Sequence, residues 1–150
     1  MPGPYDKITD EFRNIQPRCS RLYAEILNSI GLSQPQFAVL IELRHAGKPV
    51  TMTEISRKLF ITKPAVTNLA DRLEKNGFLK RLKHPSDRRV FLLEIQPKGK
   101  RTVERAHGKF LDVLLCTVKQ FNGKERAVIE RFYAELSGAM DVSLSGKKRG

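Results

Sequence analysis

Cysteine is scarce in this chain of 150 residues: only Cys19 and Cys116 occur, and no Cys-x-x-Cys pair is present. Two isolated cysteines provide no disulfide framework, which predicts a reducing, cytoplasmic setting. No stretch approaches the roughly 18 apolar residues that a membrane span requires. The opening residues, MPGPYDKITDEF, also lack the apolar core of a signal peptide. We therefore expect a soluble intracellular protein with no membrane partner.

Histidine is equally sparse. His45, His84 and His107 fall on three separate predicted elements, and they show no HxxxH spacing. Metal-dependent or nucleophilic catalysis needs a set of metal ligands, or a nucleophile with its base, and the sequence offers no such set. We expect neither an enzyme nor a requirement for a metal or cofactor.

Positive charge is what the chain has in excess, with a net charge of +12 and a pI of about 10.1. Residues 51–105 hold 14 Lys and Arg against 6 Asp and Glu, a net charge of +8, whereas residues 1–50 carry only +1. Concentrated positive charge predicts a polyanionic partner. A solvated basic surface is the alternative interpretation.

Helical periodicity dominates the chain. Apolar residues recur at helical spacing from Ile8 to Ile30, where Gly31 ends the pattern. Pro17 interrupts this helix and predicts either a kink or a helix that begins near Gln16. Three shorter helices follow, with Ser33, Thr53 and Thr62 as predicted N-caps and with Gly47 and Gly77 as stops for the first and last of them.

A β-hairpin and two long helices complete the pattern. The runs FLKRLKH (78–84) and RVFLLEI (89–95) predict two strands, with PSDR (85–88) as their turn. The long helices are predicted from about Lys98 to Phe121 and after Asn122-Gly123. Only the ends, MPGP and SGKKRG, look disordered, and residues 147–150 form a basic tail.

Two short helices followed by a basic hairpin are typical of a winged helix-turn-helix, in which the second helix enters the major groove of DNA. Bulk at the start of that helix would hold it away from the duplex. Here the start is small and polar, and its inward face is apolar (Val66, Leu69, Ala70, Leu73). Hydroxyl and amide groups can bond to base edges, and an alanine methyl can touch a thymine methyl. The candidate DNA-contacting residues are Thr62, Lys63, Pro64, Ala65, Thr67 and Asn68.

The tip of the hairpin, KHPSDRRV, suits a reach across the DNA backbone into the minor groove. Asp87 carries the wrong charge for a phosphate contact, so we interpret it as an internal partner that orients a neighbouring arginine. Arg72 and Arg57 are candidates for phosphate contacts, as is His84 at the base of the wing. Ordinary solvent exposure is the alternative for each of them.

The run DRRVFLLEIQPKGKR resembles the wing of the MarR family, whose pattern is roughly D-x-R, an apolar strand and then L-T-x-x-G. The segments LSQPQFAVLIEL and TEISRKLFITKPAVTNLADRLEKNGFLKR fit the same family in order and spacing. The resemblance covers about residues 8–142. It departs from the family at Gln96-Pro97, where Leu-Thr is usual, and at Pro17.

The resemblance implies a mainly α fold with a β-hairpin wing, in which residues 35–97 form the winged motif. Residues 1–34 and 98–146 would form a helical dimerisation layer. It implies a homodimeric repressor that binds a pseudo-palindromic operator and is released by a small aromatic or phenolic acid. Arg89 would enter the minor groove, with Arg88 contacting the backbone beside it. The wide apolar faces of the long helices independently favour a dimer.

Two alternatives to this function remain. Cys19 and Tyr23 lie four residues apart on the first helix, similar to the peroxide-sensing site of the OhrR branch, although Phe37 stands where that branch has a tyrosine. Arg18 and Arg21 are placed to lower the pKa of such a thiol. The other alternative is an architectural protein that binds nucleic acid without sequence preference, which the small polar start of the recognition helix disfavours.

Overall fold

The computed structural model describes residues 3–146, so the predicted basic tail, 147–150, lies outside the described residues. The fold is mainly helical with a small antiparallel sheet, which confirms the predicted fold class. In chain order the elements are α1 Asp6–Asn28, α2 Gln34–Ala46, β1 Val50–Thr51, α3 Met52–Lys58, α4 Lys63–Lys75, β2 Leu79–Lys83, β3 Phe91–Ile95, α5 Pro97–Val118 and α6 Gly123–Gly146.

The chain divides into two units, one ending at Phe110 and the other beginning at Leu111. The first unit contains α1 to α4, the sheet and the beginning of α5; the second contains the end of α5 and all of α6. The predicted division into a helical layer of residues 1–34 and 98–146 and a winged motif of residues 35–97 stays a prediction.

The first helix runs through Pro17 without a break. Proline removes one backbone donor, which leaves the carbonyl of Arg13 without its usual helical partner. The loss is tolerated because this part of α1 is exposed to solvent, where water can bond to that carbonyl. The expectation that the helix begins near Gln16 is therefore wrong.

The helix caps largely follow the predicted pattern. Ser33 begins α2 with a reciprocal capping box: its hydroxyl accepts from the Gln36 N–H at 3.3 Å, and the Gln36 side chain accepts from the Ser33 N–H at 2.9 Å. Gly47 ends the same helix with a left-handed φ of 64°, a conformation that costs glycine little.

One predicted cap is wrong. The N-cap of α3 is Thr51, whose hydroxyl accepts from the Glu54 N–H at 3.1 Å while the Glu54 carboxylate accepts from the Thr51 N–H at 2.7 Å. Thr53 lacks a carboxylate three residues later, so it cannot form this reciprocal pair. The bonds from the backbone and hydroxyl of Thr51 lower the pKa of Glu54 below its usual value, because they stabilise the ionised carboxylate.

The sheet has the strand order β1-β3-β2, and both pairs of adjacent strands are antiparallel. Its central strand pairs with β2 from Leu79↔Ile95 to Lys83↔Phe91. The connection, residues 84–90, contains the predicted PSDR turn, but it also includes His84, Arg89 and Val90, which were predicted to lie in the strands. The shorter pairing, Val50↔Leu93, ties the start of α3 to the wing.

A single apolar core holds the first unit together. Each large side chain buried in it contributes about 1.5–3 kcal/mol through removal from water. The core draws on α1 and α5 as well as on the winged motif, and its most buried members are Leu27, Phe37, Val39, Leu40, Leu43, Ile55, Val66, Ala70, Leu73, Leu79, Leu93, Val103 and Ala106.

The C-terminal helices differ from their predicted bounds. The fifth helix ends at Val118 rather than Phe121, because the chain then turns toward the Asn122 cap of α6. The sixth includes Ser145 and Gly146, so the predicted disorder of these two residues is wrong. None of its described residues is buried, and apolar side chains along it, including Val128, Phe132 and Met140, are exposed.

The first turn of α5 lies against the short segment that follows α4 and against the end of β3. A Cβ added at Gly99 would lie 2.4 Å from the carbonyl oxygen of Phe78 and 2.7 Å from Cγ1 of Ile95. Lys98 lies beside it, with its ammonium 2.7 Å from the carbonyl oxygen of Asn76 and 4.5 Å from the centre of the Phe78 ring. Only glycine permits this approach of backbone to backbone.

We expect Gly99→Ala to lower the free energy of unfolding by about 1–3 kcal/mol, since the new methyl group must displace a backbone carbonyl. Gly108→Ala is the matched control on the same helix, because a Cβ there meets nothing within 4 Å. The control should be neutral, or stabilising by up to about 1 kcal/mol through helix propensity. Urea unfolding followed by circular dichroism measures both; equal effects would contradict the close approach.

Candidate nucleic-acid interface

The recognition helix presents its first turn to solvent. Thr62 is the N-cap, and its hydroxyl accepts from the Ala65 N–H at 3.3 Å. Pro64 fits this turn because the backbone donors there have no helical partner in any case. The side chains of Thr62, Lys63, Pro64, Asn68 and Arg72 are exposed, whereas those of Ala65 and Thr67 are half-buried.

The opposite face of α4 is anchored in the core. Val66, Ala70 and Leu73 have no exposed surface. Their spacing of four and three residues aligns them along one side of the helix, which fixes its rotation about its own axis. That rotation brings Asn68 and Arg72 to the surface.

Thr67 differs from the other predicted contacts. Its hydroxyl lies 3.1 Å from the Lys63 carbonyl and 3.5 Å from the Met52 sulfur. The hydroxyl proton is donated within the helix, which leaves acceptor capacity for a partner outside it. Asn68, with both a donor and an acceptor on an exposed amide, is the better equipped of the two for a base edge.

The wing tip is organised around Asp87. Its carboxylate accepts from the Arg89 N–H at 3.0 Å and from the Arg89 side-chain Nε at 3.2 Å. These two bonds lower the pKa of Asp87 below its usual value, and the charge of His84 adds to the effect. The Arg89 side chain remains 90% exposed, so the bond orients this arginine without withdrawing it from solvent. Arg88 is also exposed.

His84 takes part in the turn itself. The backbone N–H of His84 donates to the Val90 carbonyl at 3.0 Å, and its ring Nδ1 accepts from the Ser86 backbone N–H at 3.1 Å. The side chain is half-buried, so its ring is held by the hairpin rather than extended toward a ligand. Arg57, by contrast, is exposed in the last turn of α3.

Sequence reasoning missed Arg81, on β2. Its guanidinium contacts Asp71, Glu74 and the carbonyl oxygen of Thr67, all on α4. The available signal was a pair of acidic residues three apart on the helix, followed by an arginine in the next strand. That signal is weak, because only the folded hairpin brings Arg81 beside both carboxylates.

A solvent-exposed helix start beside a basic hairpin, both carried on a small helical core, defines a winged helix-turn-helix protein. A model of the MarR family matches residues 32–91. The HTH-type transcriptional regulator YsmB of Bacillus subtilis is 30% identical over 140 residues, covering 91% of this chain and 95% of YsmB. The chain therefore belongs to the MarR family of transcriptional regulators.

Solved structures have the same fold. A MarR family protein from Bacillus stearothermophilus matches with a TM-score of 0.74 and 28% identity, over 90% of this chain and 94% of its own. A MepR mutant from S. aureus, solved bound to an oligodeoxyribonucleotide, matches with a TM-score of 0.65 and 21% identity, over 89% of this chain and 97% of its own.

Within residues 3–146, no helix is long and apolar enough to cross a membrane. The same residues contain no group of three or more His, Cys, Asp or Glu side chains that could hold a metal ion.

We expect the Asp87 carboxyl to titrate below the usual aspartate value of about 3.9, since its ionised form accepts both Arg89 bonds. The bonds therefore persist at neutral pH and weaken only as the pH falls through this lowered pKa. Arg89→Met removes one of the two donors and should raise the Asp87 pKa part of the way back. Carboxyl NMR shifts followed against pH measure this, and Arg88→Met is the control. An Asp87 pKa unchanged by Arg89→Met would contradict the bond.

Proposed function

We propose that the protein is a repressor that binds a pseudo-palindromic operator as a homodimer, with α4 in the major groove and the wing in the minor groove. The observation that carries this proposal is the exposed, Thr62-capped start of α4, which leaves small and polar groups on the side opposite the buried face. The MepR mutant of the same fold, solved with an oligodeoxyribonucleotide, supports DNA as the partner.

Five exposed residues of the interface have proposed roles. Asn68 reads a base edge, because its amide can both donate and accept there. Lys63 adds positive charge at the helix N-terminus, which already attracts phosphate. Arg57 and Arg72 contact phosphates, and Arg89 enters the minor groove with its side chain oriented by Asp87. His84 shapes the wing rather than contacting DNA.

Exposed apolar side chains support the dimer. Ile8, Phe12 and Ile15 lie along one side of α1 and are 48–60% exposed. In the second unit, Phe132 and Met140 are about half exposed on α6. Exposed apolar side chains of this kind mark protein–protein contact. A second copy of the chain would cover them and place two recognition helices about 34–36 Å apart, one turn of DNA.

A cleft in the first unit supports an aromatic effector. Its volume is about 270 Å³, and Cys19, Tyr23, Ile41 and Phe110 contribute to its lining. The Tyr23 ring meets the rings of Phe37 and Phe110 edge to face, at 5.7 and 5.1 Å between centroids. Burial raises the pKa of Tyr23, so its hydroxyl stays protonated and can donate to an acid. A small aromatic acid entering here would release the operator.

The second candidate is a thiol-based peroxide sensor. Cys19 is exposed and lines the same cleft as Tyr23, which gives an oxidant access. Arg21 donates to Glu25 at 3.0 Å, however, so its charge is already paired away from the thiol. If Cys19 is the sensor, peroxide makes the wild type dissociate from operator DNA but has no effect on Cys19→Ser. If an aromatic acid is the effector, it makes both proteins dissociate from the operator.

The first experiment is selection of bound sequences from a random duplex pool, followed by affinity measurements against salt concentration. We expect an enriched palindrome with half-sites one turn apart, bound at least about 10³-fold more tightly than random duplex. An unenriched pool with a steep salt dependence would instead establish an architectural nucleic-acid-binding protein.

Two substitutions assign the contacts within the selected operator. Asn68→Ala should weaken discrimination at one base pair of each half-site by about 1–3 kcal/mol. Arg89→Ala should weaken binding to every duplex and reduce the salt slope by about one, as expected when one positive charge is lost from the minor groove. Arg131→Ala, an exposed position on α6, is the control. An unchanged affinity in Arg89→Ala would remove the wing from the proposed interface.

A further inference from the structure

Arg81 is the most enclosed of the ion-paired arginines in the described residues. Its side chain is 20% exposed, whereas those of Arg13, Arg21, Arg44 and Arg89 are 44–90% exposed. Burying an arginine costs free energy unless its charge and its donors are satisfied. The contacts that satisfy Arg81 all come from the recognition helix.

These contacts span two turns of α4. The Arg81 N–H donates to one oxygen of Glu74 at 3.0 Å, and Nη1 donates to the other at 2.8 Å. Nη2 contacts the Asp71 carboxylate and lies 3.4 Å from the carbonyl oxygen of Thr67. Thr67, Asp71 and Glu74 are separated by four and three residues, so they line one side of the helix.

Two carboxylates neutralise the charge of Arg81. Burial lowers its pKa, but hydrogen bonds and charge from Asp71, together with Glu74, raise it above the ordinary arginine value. The guanidinium therefore stays ionised, while its field is cancelled locally. Such a group attracts a DNA phosphate poorly, because two carboxylates already offset its charge.

We propose that Arg81 is a specificity-determining positioning residue, which fixes the recognition helix against the wing so that both reach the same stretch of duplex in register. The inference rests on the proposed function. Core burial sets the rotation of α4 about its axis, and Arg81 adds an attachment from a strand of the wing itself. One of its acceptors is the carbonyl of Thr67, which precedes Asn68, the proposed base-reading residue, in the chain.

The chemistry of this attachment requires arginine. A guanidinium is planar and carries five donors in a fixed fork, so it can bind Glu74 and Asp71 at once in one geometry. Lysine keeps the charge but offers a single ammonium on a flexible stem. Arg81→Lys should therefore retain the charge balance while releasing the orientation of the helix.

The test compares operator and scrambled duplex as ligands for Arg81→Lys, Arg81→Met and the wild type, over a range of salt concentrations. Binding is measured at a temperature well below the thermal unfolding midpoint of each variant. We expect the ratio of the two affinities to fall about tenfold or more in both variants, equivalent to one lost base contact. In Arg81→Lys, which keeps the positive charge beside Asp71 and Glu74, the affinity for scrambled duplex and its salt slope should stay as in the wild type. Reduced stability alone, with every molecule still folded, would leave the ratio unchanged.

The control is Arg44→Met, which breaks another ion pair, with Glu104 at 2.9 Å, outside the interface. It should leave the affinity ratio unchanged. Glu74→Gln weakens the same attachment from the helix side and should reproduce the loss of discrimination. It also supplies the measurement if Arg81→Met does not fold.

Two results would overturn the inference. An affinity ratio equal to that of the wild type in Arg81→Lys and Glu74→Gln would mean that the ion pairs serve only stability. An equal loss of affinity for both duplexes with a shallower salt slope in Arg81→Met, restored in Arg81→Lys by its retained charge, would make Arg81 a phosphate contact. Failure of the proposed function looks different, because the wild type itself would then fail to distinguish operator from scrambled duplex.

Discussion

Complete burial of three small and medium side chains, Val66, Ala70 and Leu73, is the constraint on which the rest of the structure depends. A helix whose inward face admits no water cannot roll without opening a cavity or exposing apolar surface, and either change costs several kcal/mol. The surface offered to a ligand is therefore decided from inside the protein. Asn68 and Arg72 are exposed because burial of the inward face turns the other side of the helix to solvent. The interface is in this sense a product of the core.

Polar contacts then fix the position of α4 more closely than burial alone does. Packing resists rotation of α4 strongly but is less selective about small shifts along the helix axis, since apolar contacts have no preferred direction. Directional contacts supply that selectivity at two places: Arg81 reaches α4 from β2, and Lys98 reaches the carbonyl of Asn76 from α5. The wing repeats the arrangement on a smaller scale, with Asp87 holding Arg89 by two bonds while leaving it in solvent.

Local patterns in the sequence predicted much of this fold. The caps Ser33 and Thr62, the inward face of α4 and the hairpin all follow from spacings of a few residues, where neighbouring groups interact whatever the remaining chain does. The cap of α3 was misplaced because two threonines stand close together, and only the carboxylate of Glu54 decides between them. Arg81 was missed for a different reason, since its partners lie 7 to 14 residues away and meet it only after β2 has folded back.

The residues that α1 and α5 contribute to the core also limit where the coding sequence can be divided. Leu27 from α1, and Val103 and Ala106 from α5, are 3–4% exposed, in the same cluster as the winged motif. The backbone of Gly99, on the same α5, lies against the carbonyl of Phe78, between α4 and β2. A gene fragment covering only the two short helices and the hairpin would encode a motif with one side of its core open. The winged helix of this chain therefore cannot be moved between proteins by itself. Recombination that joins it to another protein must transfer the flanking helical segments as well.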